Sequence, residues 1–143
     1  MGGGAIITGD RQLSDEMIQA IGSLDGVVGL NLFNGFLVPE WEAVIFGKLL
    51  PYVIPGPPPV EAQMNFVTLD AVRAHAEHIA DLIGWHRLGI GSDLDGGLGE
   101  DETPVELRSA ADLHRIADVV PAEARAGVLG GNWLRFLAEA LPA

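Results

Sequence analysis

Arg87-Leu88-Gly89-Ile90-Gly91-Ser92-Asp93-Leu94-Asp95-Gly96-Gly97 is the stretch whose reading decides the fold class. It begins as a short apolar segment of strand length and runs straight into two carboxylates set among glycines. Just upstream, Thr68 is placed to cap a helix in which Leu69, Val72, Ala76, Ile79 and Ile83 recur at spacings of three and four. Val67 and Val72 form its hydrophobic staple, and Gly84 ends it. Farther upstream, Val27-Val28-Gly29-Leu30-Asn31-Leu32-Phe33 is a nearly continuous apolar run, the pattern of a parallel strand buried on both faces. Before it, Ser14 followed by Asp15 and Glu16 caps a short helix predicted at 15–22, with Met17, Ile18 and Ile21 on its apolar face.

Between the first strand and the long helix the periodicity breaks down. Trp41 to Leu50 is apolar but lacks a cap, and Pro51, Pro55, Pro57, Pro58 and Pro59 disfavour helix interiors and central strands. The region 34–66 therefore reads as a long, partly stiff, proline-rich loop. Downstream of Gly97, Thr103-Pro104-Val105-Glu106 has the form of a capping box with proline at the first helical position, and a start near Ser109 or Asp112 is the alternative. Pro121 opens a further helix, and Gly130-Gly131 separates it from an amphipathic segment, Asn132 to Leu141. The order helix, strand, loop, helix, strand belongs to an α/β fold, either a βα-barrel or a doubly wound sheet.

Composition narrows the function classes. A chain of 143 residues, 48% hydrophobic, supports one core and not two, so 1–143 is a single domain or a piece of one. Twenty acidic residues against eight basic ones give a charge of −12, and Lys48 is the sole lysine. Such a chain cannot neutralise a run of phosphates, which excludes nucleic acid and anionic membrane surfaces as partners. No apolar run approaches the ~18 residues that span a bilayer. The absence of cysteine removes thiolate metal sites and cysteine nucleophiles, and favours a reducing, cytoplasmic setting.

Asp93 and Asp95 lie just beyond the C-terminal end of a strand, the edge where α/β folds bind ligands. They can simply close a turn whose glycines supply positive φ. They also resemble the Asp-x-Asp-Gly-Thr loop of haloacid-dehalogenase-like phosphotransferases, but Gly97 occupies the threonine position and no lysine follows Lys48. An EF-hand loop fails because the glycine comes two positions early.

A further reading accounts for more of the chain. Arg11-Gln12-Leu13-Ser14-Asp15-Glu16-Met17-Ile18, Gly26 to Asn31, the His-x-x-His-Ile stretch from His75 to Ile79, Gly89 to Gly97, and Gly130-Gly131-Asn132-Trp133-Leu134-Arg135-Phe136 together resemble, in that order, the last third of the membrane (renal) dipeptidase family, zinc metallopeptidase family M19. The resemblance implies the C-terminal portion of a (β/α)8 TIM-type barrel, since a whole barrel needs about 250 residues and eight strands. It implies a two-zinc site in which metal-activated water hydrolyses a dipeptide. Arg11 matches the family's arginine that holds the substrate's C-terminal carboxylate, and Asp93 matches an aspartate near the substrate's amino end and the scissile bond. A guanidinium binds a carboxylate bidentately, and a carboxylate can pair with an ammonium or carry a proton to the leaving amine. Without the resemblance, Arg11 reads as a surface arginine paired with Asp10 or Asp15.

The family's zinc ligands are expected to lie before this chain, and none of its own residues is assigned to metal. His75 and His78 fall on a crossover helix expected to face outward, His86 precedes its strand at the stability face, and His114 lies in the terminal helical region. The expected product is thus a C-terminal dipeptidase fragment, inactive alone. The alternative is a non-catalytic half-barrel module that associates with itself, as a homodimer, or with another chain.

Overall fold

The computed structural model describes residues 12–57, 64–96 and 99–142, so the readings placed on Arg11, Pro58, Pro59 and Gly97 lie outside the described residues. α1 (Asp15–Ser23) starts where Ser14 predicts: its hydroxyl accepts a hydrogen bond from the Met17 amide at 3.3 Å, with Asp15 and Glu16 at the positive end of the helix dipole. Ile18 turns into the core, whereas Met17, expected beside it, is exposed. Of the apolar run that follows, only β1 (Val28–Leu30) is strand, and Gly29 is exposed between buried Val28 and Leu30. The strand is covered at alternate positions, not on both faces throughout.

The region read as a loop at 34–66 contains two helices, α2 (Asn34–Leu37) and α3 (Trp41–Val53). Trp41, Val44 and Gly47 recur at spacings of three and are all buried, and this packed face stabilises α3 despite its missing side-chain cap. Pro51 sits in the last turn, where the bond it cannot donate is near the helix end. Local chemistry argued against the helix, and tertiary burial overrode it.

α4 (Leu69–Ile83) buries all five residues of its predicted stripe, and Val67 and Val72 are both buried at its start. Its first turn is capped twice: the Thr68 hydroxyl accepts from the Asp70 amide at 3.4 Å, and the Glu106 carboxylate accepts from the Leu69 amide at 3.1 Å. Glu106 therefore does not close a capping box on Thr103, whose hydroxyl donates to the Leu107 carbonyl at 2.6 Å instead. Winding resumes as a 3-10 stretch at Ala110–Val119, where Asp112 accepts from the Arg108 and Ser109 amides. Gly84 ends α4 at φ 86°, ψ 150°, a combination that a residue with a Cβ reaches only under strain.

β2 (Leu88–Ile90) pairs parallel with β1, Val28 opposite Leu88 and Leu30 opposite Ile90, and the Gly91 amide continues the ladder to the Leu30 carbonyl at 3.0 Å. In a parallel ladder alternate residues bond to alternate sides, so Leu88 and Ile90 present their carbonyls away from β1. The C-terminal segment meets them there. A widened turn over Gly127–Gly131, kinked at Gly130, leads into α5 (Asn132–Ala140). The Asn132 amide donates to the carbonyls of Trp85 (2.9 Å) and Leu88 (2.7 Å), and the Trp133 indole donates to that of Ile90 (3.0 Å). A Cβ on Gly89 would collide with the Trp133 ring, which is why this close approach needs glycine. The described residues thus form a helix-rich α/β unit around a two-stranded parallel sheet. Its core joins α4, both strands, Trp41 of α3 and Ile116.

Candidate functional site

The C-terminal ends of β1 and β2 lie side by side, and the residue that follows each is where polar chemistry starts. After β2 the chain turns tightly: the Gly96 amide donates to the Asp93 carbonyl at 3.1 Å, and Asp93 and Asp95 take left-handed φ values of 59° and 63°. Aspartate tolerates this region better than most residues with a side chain, so the turn is compatible with the sequence while remaining a sparsely populated conformation. Both carboxylates are exposed. A Cβ at Gly96 would strike the Asp93 carboxylate, so glycine there is what lets that side chain fold over its own turn.

Asn31, directly after β1, reaches this turn. Its side-chain oxygen accepts from the Phe33 amide at 2.8 Å, which fixes the amide group and aims its nitrogen at Asp93, whose Oδ2 it meets at 3.3 Å. The pair spans 62 positions of sequence and exists because the parallel register brings the two strand ends together. Sequence reasoning singled out Asp93 and missed Asn31. The available signal was a polar residue interrupting an apolar run. Arg11, the other expected substrate residue, lies outside the described residues.

All four histidines have structural partners. His75 donates from Nε2 to the Leu37 carbonyl at 3.0 Å, and burial pushes its pKa down, against that bond. His78 meets Asp15 at 2.8 Å, tying α4 to α1. The expectation that His75 and His78 face outward is thereby corrected: both are partly buried, because α1 and α2 pack over that side of the crossover helix. His86 accepts from Arg87 at 2.6 Å, and His114 donates to the Ala111 carbonyl at 2.7 Å. Arg87 also pairs with Asp25 at 2.7 Å and holds that carboxyl below its usual range. Among the described residues no group of three histidine, aspartate or glutamate side chains could hold a metal ion. A cleft of about 370 Å³ lined by Trp85, His86, Glu123 and Asn132 opens at the opposite, N-terminal end of β2, away from Asp93.

Behind the turn, the loops are tied by buried amides. Asn34 donates to Asn65 (3.1 Å) and to the Thr103 carbonyl (3.3 Å), and Asn65 donates to the same carbonyl at 2.7 Å. Lys48 reaches from α3 to Asp101 at 2.7 Å and lowers that carboxyl's pKa. Together these contacts anchor the segments on either side of the strand ends.

The arrangement is that of an α/β protein with a carboxylate held at the C-terminal edge of a parallel sheet. The chain belongs to the membrane dipeptidase family (peptidase family M19), whose profile matches residues 4–141. That family is one of dipeptidases of the metallopeptidase class and is generally zinc-dependent. A Klebsiella pneumoniae protein described as an uncharacterized protein in the pqqA 5′ region is 26% identical over 132 residues, which cover 89% of this chain and 40% of that protein. The chain thus spans about two fifths of the length of this curated relative. No solved structure matches it. No helix among the described residues is long and apolar enough to cross a membrane.

Proposed function

We propose that this chain supplies the substrate-side residues of a zinc dipeptidase centre, on the C-terminal portion of a (β/α)8 barrel. The observation that carries the reading is Asp93, set at the C-terminal end of β2 in a family of dipeptidases and held by Asn31. An exposed carboxylate there pairs with the ammonium of a dipeptide and is placed to carry a proton to the departing amine. Arg11 binds the opposite end, its guanidinium matched to the free carboxylate. With the two ends held, the scissile carbonyl lies between them in a fixed orientation. The described residues do not fit a zinc centre on their own, so the ligands of the ions come from outside them.

The test is an NMR titration of the 143-residue chain with Ala-D-Ala, with zinc content and turnover measured on the same sample. Shift changes centred on residues 91–96, removed by Asp93→Asn and by Arg11→Ala, with neither bound zinc nor turnover, are the expected outcome. Perturbations confined to other parts of the chain would reject the assignment of Asp93. Stoichiometric zinc with turnover would reject the reading of the histidines.

A further inference from the structure

The cleft at the N-terminal end of β2 takes no part in the dipeptide site proposed above. Its floor is Asn132, 7% exposed, which donates one side-chain hydrogen to the Trp85 carbonyl and the other to that of Leu88. The amide oxygen therefore points away from those carbonyls, and among the described residues nothing donates to it. Gly127 keeps the space in front of this oxygen open, since a Cβ there would fall 2.7 Å from it. Trp85 and Ala124 add an apolar wall. Glu123, exposed at the rim, carries a carboxylate with no partner among the described residues. The donors nearby are spent. The Asn132 backbone amide closes the widened turn on the Gly127 carbonyl. Arg87 and Arg135, both bonded to His86, pair with Asp25 and Glu139, and neither lines the cleft.

We propose that this cleft binds a primary ammonium group on a short apolar stem, with Asn132 Oδ1 and the Glu123 carboxylate accepting from the ammonium and Trp85 packed along the stem. Three features select that chemistry. A buried acceptor beneath and an unpaired carboxylate above call for a donor that carries positive charge. An aromatic wall favours a cation over a neutral group. At about 370 Å³ the space is at the lower end of small-molecule sites, whereas two oxygens are too few to hold a bare hard cation. The charge of −12 draws cations towards the molecule and repels anions. The head group can belong to a free amine or to a lysine side chain of another polypeptide segment; Lys48 of this chain is taken up by Asp101 and Glu102.

Heteronuclear NMR of the full 143-residue chain tests this with n-butylammonium, which has the head and the stem but no carboxylate for Arg11 to engage. Saturable shifts at residues 123–132 and at the Trp85 indole are expected, with a Kd of about 1–10 mM for so small a ligand. Glu123→Gln should weaken binding at least about fivefold, and n-butanol, which keeps the stem but lacks the charge, should bind wild type at least about fivefold more weakly. Glu77→Gln makes the same charge change on the exposed surface of α4 and should leave binding as it is. Acetyl-lysine-N-methylamide separates the two sources: affinity equal to that of n-butylammonium assigns the cleft to a lysine side chain, and much weaker binding assigns it to free amines. Equal binding of n-butanol, a loss with Glu77→Gln as large as with Glu123→Gln, tighter binding of acetate, or shifts spread over the acidic surface would each overturn the proposal. The cleft and Asp93 lie at opposite ends of β2, so shifts at 123–132 and at 91–96 are read separately and either proposal can fail alone.

Discussion

Asn132→Asp isolates what the C-terminal segment does for the sheet. The asparagine is 7% exposed and donates both side-chain hydrogens, one to Trp85 and one to Leu88. The Trp85 carbonyl keeps a second donor, the Leu88 amide, so its loss is a single net hydrogen bond of about 1 kcal/mol. The Leu88 carbonyl faces away from β1 within a fully buried residue, and orphaning it costs about 2 kcal/mol. Asparagine and aspartate have the same shape, so the substitution keeps water out, supplies no donor and aims a carboxylate at two carbonyl oxygens. A loss of at least about 3 kcal/mol follows at neutral pH, which for a chain this long lowers Tm by about 10 °C. Burial and the carbonyls raise the new carboxyl's pKa, and once protonated it again donates one hydrogen bond, so the deficit relative to wild type shrinks as pH falls. Asn132→Ala should cost less, because the adjoining cleft can admit a water to the freed carbonyl. Urea and thermal unfolding followed by circular dichroism at two pH values measure all of this at fixed protein concentration. A deficit under about 0.5 kcal/mol for Asn132→Asp, or a larger one for alanine than for aspartate, would refute the account.

Other perturbations separate local causes. Gly84→Ala should destabilise by about 1–3 kcal/mol, since φ 86° excludes a Cβ that would also meet the His86 ring at 2.8 Å; an unchanged urea midpoint would show that the backbone relaxes there. His75 has its pKa lowered by burial, so the unfolded chain binds the proton more readily: its share of stability is complete above the ordinary value of 6.5 and is lost as pH falls below it. His75→Gln keeps a donor for the Leu37 carbonyl and should flatten that part of the stability–pH curve; a curve of the same slope would reject burial as the cause. Asn31→Asp preserves the acceptor for Phe33 but removes the donor to Asp93, so amide shifts should move within residues 91–96 while stability changes by less than about 1 kcal/mol, as exposed contacts allow. Movement of the Phe33 amide with a silent turn would mean that the 3.3 Å contact holds nothing.

Elements whose signals are local were legible in the sequence. Ser14 and Thr68 cap the helices they were expected to cap, and the Leu69-to-Ile83 stripe is buried at each position. α3 was not legible, because its stability comes from Trp41 and Val44 reaching the core, a tertiary effect that caps and prolines do not encode. Glu106 misled for a related reason. Its spacing from Thr103 fits a capping box, yet the free amide nearest its carboxylate belongs to Leu69, 37 residues away. Asp93 could be found because a carboxylate at a strand end carries its own signal, whereas Asn31 acquires meaning only from the register that sets β1 against β2. The roles of His75 and His78 were not legible either, because they tie α4 to α2 and α1 across 38 and 63 positions of sequence.

The clasp on β2 also gives the sheet a direction of growth. A strand arriving beside Leu88 and Ile90 would have to evict an amide and an indole already seated on those carbonyls. On the other flank stands Gly29, exposed and without a side chain, its backbone turned away from β2 by the alternation of the ladder. A strand that pairs beside β1 finds Gly29 exposed there, whereas one that pairs beside β2 has first to displace Asn132 and Trp133 from its carbonyls.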